Sequence, residues 1–411
     1  MNTTLRRDAE KIIADAIHAV KPDEAVRRAL LDADFPGKIV LVAAGKAAWQ
    51  MAKAAHTCLG DRIGSGIVIT KYGHVIGPIA DFVCCEAGHP VPDENSFRST
   101  QKALDLVSGL TEKDTVLFLL SGGGSALFEK PLIPGEELQD ITKQLLSCGA
   151  DIVEINTIRK RLSAVKGGKF AKSCTPAQVY AVILSDILSD PLDMIASGPA
   201  CPDSSTAAQA LAIAKKYDLV LSGTARSLLS EETPKQLSNV TTRITGSVRE
   251  LCTAAAASCE ALGYEPVILT DMLNCQAKEA GSFLASILKT HAGSGKKLAF
   301  LAGGETVVQL TGNGLGGRNQ ELAISAAAGI DKVHGAAVFS VGSDGTDGPT
   351  DAAGGYVDHE TAAALRALEI DIYQTLQNND AYHALQAVGG LIITGPTGTN
   401  VNDVAIALLH P

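Results

Sequence analysis

The feature that most constrains this chain is a unit that recurs along it. A short run of Val, Ile, Leu and Ala meets a turn of Gly, Ser or Asp, and a helical pattern follows. Lys38 to Ala43 reads as a buried strand that breaks at Gly45, and Ala47 to Cys58 follows as a helix. Ile67 to Thr70 and Phe82 to Cys85 read as further short strands. Thr115 to Leu120 runs into Ser121-Gly122-Gly123-Gly124, and Val179 to Leu184 ends at Ser185 and Asp186. Short apolar strands interleaved with helices imply a parallel sheet covered on both faces. Ligands of such sheets sit beyond the carboxyl ends of the strands, so the chemistry is expected in these turns.

At 411 residues the chain is longer than one core usually serves, and two domains are expected. Ser222 to Val240 is polar and shows no strand, which places the boundary near its end, with domains at 1–240 and 241–411. The second block opens with an Ala-rich helix around Val248 to Leu262. Strands are expected at Pro266–Leu269, Lys297–Ala302, Thr306–Leu310, Ala336–Val341 and Leu391–Thr394, and Val401–Leu409 reads as a last strand or a helix. The fold class is therefore α/β, with a parallel sheet in the N-terminal domain and a second α/β domain behind it.

A formal charge of −10 gives no long-range attraction for a phosphate backbone, which argues against nucleic acid as a partner. The first 20 residues carry Asp8, Glu10, Lys11 and Asp15 among apolar positions, so they read as an amphipathic helix and not as a leader. No apolar run is long enough to span a bilayer. Nine cysteines, an odd number without a CxxC pair, fit a reducing compartment and buried packing roles, and the protein is read as cytoplasmic.

Several turns carry candidate chemistry. Lys46 follows Gly45 at the start of a helix, where the dipole favours anions, so a lysine there makes sense as an anion ligand beside free backbone N–H groups. Ser121, Gly122, Gly123, Gly124 and Ser125 form a nest in which backbone amides approach a phosphate or carboxylate closely. Asn156, Arg159 and Ser163 fall on one helical face, and Arg159 is a bidentate clamp for a carboxylate or part of a solvated basic face. Asp186, at the end of a buried strand, is placed to hold Mg²⁺ or to take a hydroxyl proton, whereas Asp190 and Asp193 read as capping or solvated groups.

In the second half, Gly312, Gly314 and Gly317 satisfy the dinucleotide pattern GxGxxG, but no acidic residue ends a strand about 20 positions on. Arg318 and Asn319 follow at once, and a guanidinium at a glycine-rich helix start suits phosphate charge. Glu305, after Gly303-Gly304, and Asp344, within Ser343 to Asp351, are carboxylates at expected strand ends. Gly293-Ser294-Gly295-Lys296 only imitates the end of a P-loop, because it lacks the earlier glycine and precedes a strand.

Together these segments resemble the glycerate 2-kinase family, whose C-terminal part is the MOFRL domain. The matching words are AAGKAA at Ala43, GHPVPDENS at Gly88, SGGGSALFEKP at Ser121, NTIRKRLSAVKGGKFA at Asn156 and SDILSDPLDMIASGPACPD at Ser185. GGETVVQLTGNGLGGRNQE at Gly303, SDGTDGPTDAAGG at Ser343 and TGPTGTNVND at Thr394 complete the series in the family's order. Ser343 stands where the family often has Thr, and Met272 to Gln276 lacks the family's usual Gly-Glu.

The resemblance implies an N-terminal Rossmann-like three-layer domain, a C-terminal MOFRL-type α/β domain and an active site in the cleft between them. It implies ATP and Mg²⁺, and D-glycerate phosphorylated at its 2-hydroxyl, with a homodimer as the assembly. Lys46 and Arg318 are the implied catalytic pair, facing each other across the cleft, with Asp186 as metal ligand or hydroxyl-orienting group. Glu305 and Asp344 are further metal candidates. Ser121 to Ser125, Gly314, Gly316, Gly317 and Asn319 are expected around the nucleotide or substrate, with Asn156, and Arg159 on the glycerate carboxylate. Some members of the family carry the label hydroxypyruvate reductase, so an NAD(P)H-dependent reductase is the competing expectation.

Overall fold

The structure is a computed structural model and describes residues 1–185 and 192–411. Two compact units make up the chain. The N-terminal unit comprises Pro22–Ser185 and the stretch that ends at Thr245, and the C-terminal unit comprises Met1–Lys21 and Gly246–Pro411. The two units differ from a cut at residue 240, because the first helix, Thr3–Ala19, belongs with the C-terminal half of the sequence.

The N-terminal unit is built on β1 (Ile39–Ala44), β2 (Ile63–Lys71), β3 (Val83–Ala87), β4 (Thr115–Leu120), β5 (Gln178–Ile183) and β6 (Val240–Ile244). Every pairing is parallel, and the order is β3-β2-β1-β4-β5-β6. Strand β6 is missing from the sequence reading, since only Val240 and Ile244 stand out in a polar context. Residues of one strand alternate between two cores. Val40, Val42, Phe118 and Leu120 enter one, and Leu41, Ala43, Leu117 and Leu119 enter the other. Burial on both faces is why these strands read as unbroken apolar runs. The strand order reverses between β1 and β4, and a crevice opens at such a reversal beyond the carboxyl ends.

The C-terminal unit carries β7 (Glu265–Leu273), β8 (Leu298–Gly304), β9 (Ala336–Gly342), β10 (Gly354–Asp358), β11 (Leu391–Ile392) and β12 (Asp403–Leu409), in the order β11-β10-β9-β12-β8-β7. The sheet is mixed. Strands β7 and β8 are parallel, whereas β12 lies antiparallel between β8 and β9. Residues 401–409 thus resolve as a strand from Asp403 onward. The strand expected at Thr306–Leu310 does not form. It makes the single bridge Gln276↔Val307, because the neighbouring chain there has already entered the helix Ala277–His291.

Both faces of this sheet are covered as well. Leu5, Ala9, Ile12, Ala16 and Ile17 place one stripe of the first helix on a face shared with the helix Val248–Ala261. That spacing is the amphipathic pattern of a core-facing helix, and it explains why the chain's first residues join the C-terminal unit. The helices Ala277–His291 and Arg318–Ile330 cover the other face. Among the described residues no helix is long and apolar enough to cross a membrane. All nine cysteines are free thiols, and burial pushes those of Cys174, Cys252 and Cys259 up to about 12.

The helix that begins with Arg318 is seated through glycine. A Cβ on Gly281 would lie 2.1 Å from the Leu322 carbonyl oxygen, so the two helices approach backbone to backbone. Gly281→Ala should therefore cost about 1–3 kcal/mol of overpacking. Urea denaturation measures it, and an unchanged midpoint would show that the helices separate freely.

Candidate functional site

In the N-terminal unit the turns after β1 and β4 are stitched together at the order reversal. The Lys46 N–H donates to the Gly122 carbonyl at 2.9 Å, and the Ala47 N–H donates to Ser121 Oγ at 3.0 Å. Thr70 Oγ1 and His74 Nδ1 lie 3.3 and 3.2 Å from the Lys46 carbonyl. Gly45 has φ +125°, and a Cβ there would stand 2.2 Å from Ser121 Oγ, so only glycine brings the turns this close. Among the described residues, no hydrogen bond or ion pair ends on the Lys46 ammonium, and the N–H groups of Gly122 and Gly123 donate to nothing. Three donors therefore stand together without acceptors. The His89 ring lies against Gly123, 3.0 Å from where a Cβ would be, and Lys46 Cγ is 3.1 Å from the same point.

The other candidates of this unit gather around the same turn. Gly124 packs on Ala196, whose Cβ would be 2.8 Å from one on the glycine. Ala196, Ser197 and Gly198 all have positive φ, and Ser197 Oγ donates to Asn156 Oδ1 at 2.8 Å. Asn156 thus reaches the turn through Ser197. Arg159 donates from Nη2 to the Ser125 carbonyl at 3.0 Å and pairs with the buried Glu129. Its guanidinium holds protein groups, which differs from the open carboxylate clamp expected of it. Asp193 lies 3.4 Å from Lys160 Nζ. Asp186 and Asp190 lie outside the described residues.

In the C-terminal unit the ends of β8 and β9 flank the start of β12, where Asp403 pairs in register with Gly304 and Gly342. Arg318 opens its helix and is clamped there. Its Nε and Nη2 donate to the two oxygens of Asp403 at 2.5 and 3.0 Å, and Nη1 lies 2.9 Å from Glu305 Oε1. These carboxylates raise the guanidinium pKa against the desolvation that lowers it, so the charge is fixed in place. Asp403 is raised, chiefly by burial.

The helix start itself is already capped by a carboxylate. Asp347 accepts from the N–H groups of Asn319 and Gln320 at 3.1 and 2.9 Å and from both side-chain amides. Desolvation outweighs these donors and lifts its carboxyl to about 6. Asn319 is buried, with its amide shared between Asp347 and Ser340, so it orients the helix start.

The glycine loop before this helix also departs from expectation. The N–H groups of Gly312, Asn313, Gly314 and Leu315 are taken by Asn378, Asn379 and Asp380. Cβ atoms on Gly312, Gly314 and Gly317 would fall 2.4, 2.5 and 2.2 Å from Asn378, Asp380 and Asp347. These glycines serve close backbone packing, and the nest of free amides expected at GxGxxG is absent from Gly312 to Leu315. A cavity of about 650 Å³ lies beside the loop, lined by Glu305, Val307, Leu310, Gly316, Arg318 and Glu321 among others.

Asp403 and Asp347, which fix Arg318 and its helix, are missing from the sequence assignment of the site, although both stand in the quoted words. Nothing local marks Asp403, which lies 85 positions from Arg318. Arg318→Ala should leave a buried carboxylate unpaired and cost about 3 kcal/mol. Adding Asp403→Asn should return most of that loss in the same denaturation assay.

The raised carboxyl of Asp347 also has a sign. Its folded value, about 6, exceeds the ordinary 3.8, so its contribution to stability is full below about 3.8 and is lost as pH rises through about 6. Asp347→Asn should flatten stability against pH across that window, and an unchanged slope would show that another group titrates there.

Residues 8–230 match the family model described as a domain of unknown function (DUF4147), and residues 298–403 match the MOFRL family. The D-glycerate 2-kinase of Thermotoga maritima is 52% identical over 99% of this chain and 99% of its own length. A crystal structure of glycerate kinase from Thermotoga maritima matches with a TM-score of 0.94 and 52% identity, covering 100% of both chains. A protein of Agrobacterium vitis that carries a hydroxypyruvate reductase name is 37% identical over 99% of this chain and 95% of its own length. A DUF4147 region followed by a MOFRL region, with full-length identity at this level, means that the chain belongs to the glycerate kinase family.

Proposed function

We propose that this protein is a glycerate 2-kinase, which transfers the γ-phosphoryl group of ATP to the 2-hydroxyl of D-glycerate. The observation that carries the reading is the set of unused donors at the β1/β4 reversal: the Lys46 ammonium and the N–H groups of Gly122 and Gly123. Phosphoryl transfer asks a protein for positioning and charge stabilisation more than for covalent chemistry. Donors that lack acceptors meet that demand without first breaking a bond within the protein. Lys46 and the two amides hold an anionic oxygen. Arg318, kept charged and oriented by Asp403 and Glu305, is a fixed cation of the kind that stabilises developing phosphoryl charge.

Magnesium is part of the proposal. Magnesium in such sites takes one or two protein carboxylates and completes its shell with phosphate oxygens and water. A Cβ on Gly342 would lie 2.8 Å from the Thr346 carbonyl oxygen and 3.4 Å from both Asp344 Oδ1 and Asp403 Oδ1, so the glycine lets these oxygens draw close at the end of β9. Asp403 and Glu305 both pair with Arg318, whereas Asp344 pairs with no cation among the described residues, so Asp344 is the residue that would hold the ion, and Glu305 would join it only by leaving Arg318. When bound, the ion neutralises charge on the transferring phosphate. Among the described residues no three His, Cys, Asp or Glu gather as a metal cage.

The reductase reading has less support. Its fingerprint at Gly312 to Gly317 does not follow a strand, and four of its amides are consumed by Asn378 to Asp380. The turn after β1, where a dinucleotide fold would place that fingerprint, reads Ala44-Gly45-Lys46-Ala47 instead.

Purified protein with ATP, Mg²⁺ and D-glycerate should release ADP and form 2-phosphoglycerate, identified by NMR. NADH with hydroxypyruvate should give no absorbance change. Lys46→Ala should lower kcat by about 10²- to 10³-fold and shift stability by no more than about 0.5 kcal/mol. Near-normal turnover of that variant would remove Lys46 from the mechanism.

A further inference from the structure

Three glycines in succession have wide backbone freedom, and holding them in one shape costs entropy. A nest that is to bind an anion without reorganising needs an external brace. The structure places three ionisable side chains behind the Ser121–Ser125 turn. Glu129 and Lys166 are both 0% exposed. Lys166 Nζ and Arg159 Nη2 stand 3.4 and 3.5 Å from Glu129 Oε2. The two cations converge on one carbonyl, since Lys166 Nζ and Arg159 Nη2 donate to the Ser125 oxygen at 2.8 and 3.0 Å. Lys166 also reaches the Phe128 carbonyl at 3.4 Å, so it holds one carbonyl inside the short helix Gly124–Leu127 and the one at its C-cap.

This arrangement is a poor way to stabilise a core. Neither oxygen of Glu129 receives a hydrogen bond, and Arg159 Nε is likewise buried without a partner. Phe128 and Phe170, their rings 5.0 Å apart, and Val165 supply apolar packing next to these charges. Burial lowers the Lys166 ammonium to about 8. Apolar residues of similar volume usually stabilise such a place at least as well as a buried ion cluster. The segments that carry the cluster are nevertheless joined. Pro131 and Ser163 form an antiparallel bridge, with the Ala164 N–H on the Lys130 carbonyl and the Leu132 N–H on the Leu162 carbonyl.

We infer that Glu129, Lys166 and Arg159 are positioning residues: a buried ionic knot that grips the Ser125 carbonyl and holds the glycine turn with its Gly122 and Gly123 N–H groups free for the anion. This rests on the reading of that turn as the anion cradle. Glu129 and Lys166 are sealed from solvent and cannot touch substrate, so any effect they have on substrate affinity must pass through the turn.

The test is the double variant Glu129→Leu/Lys166→Met in the full chain. Thermal unfolding should occur at or above the wild-type temperature. The KM for ATP or for glycerate should rise at least tenfold, with kcat changed less than threefold. Amide exchange of residues 121–127, read by mass spectrometry without substrate, should quicken in the variant. A stable double variant with both KM values within twofold of wild type and unchanged exchange would overturn the proposal.

Should the double variant not fold, Arg159→Met, which removes one of the two donors to Ser125, is read by the same exchange measurement. Quicker exchange of 121–127 supports the brace, and unchanged exchange overturns it. A wild-type protein without kinase turnover would sink the functional reading by itself, while exchange in the substrate-free turn would still report on the knot.

Discussion

Both faces of each sheet are covered over its central strands, and this constraint governs the rest of the structure. Strands β1, β4, β8, β9 and β12 are covered along their whole length, so they offer no side chain to a ligand. Every group able to meet a substrate must then come from a strand end or the turn beyond it. In the N-terminal unit the reversal of strand order between β1 and β4 puts two such turns side by side. Each turn supplies what the other lacks. The Gly122 carbonyl and Ser121 hydroxyl fix the backbone around Lys46, and the ammonium and the neighbouring amides remain open.

The C-terminal unit solves a different problem. An arginine at the first position of a helix opposes the helix dipole, and here three carboxylates answer it. Asp403 grips the guanidinium edge-on, Glu305 takes the remaining nitrogen, and Asp347 caps the helix itself. A guanidinium held by such a fork keeps both its charge and its direction. The neighbouring glycines belong to this support. They allow Asn378 to Ala381 and Asp347 to approach the loop as closely as backbone permits. A pattern that reads as a phosphate nest is, in the folded protein, a packing device.

The buried ions follow one rule across the molecule. Arg161, Lys160 and Asp203 form a second paired cluster, with Lys160 Nζ 3.0 Å from Asp203 and Thr233 adding a hydrogen bond to the same carboxylate. There the hydrogen-bond donors are supplied and the Asp203 pKa is lowered in spite of burial. Glu129 has neighbours of the right charge but no hydrogen bond. The Asp203 carboxylate is satisfied and the Glu129 carboxylate is not, although each cluster keeps one buried arginine Nε without a partner.

The sequence by itself determined the parallel N-terminal sheet, the glycine turns and the family, because each depends on residues adjacent in the chain. Lys38 to Ala43, Thr115 to Leu120 and Val179 to Leu184 are apolar throughout, and a strand buried on both faces leaves that trace. Strand β10 left none. Its Gly354 and Gly355 are small because Ser340 and Leu385 crowd them, and nothing in the sequence announces a neighbour. Only the tertiary structure decided that the first helix covers the C-terminal sheet, and that Asp403 clamps Arg318. It alone showed that the amides of Gly312 to Leu315 are consumed while those of Gly122 and Gly123 are spare. Hydrogen-bond partners are set by contacts between residues tens or hundreds of positions apart. A donor's availability is a property of the fold, and a glycine pattern reports only that the backbone comes close to something.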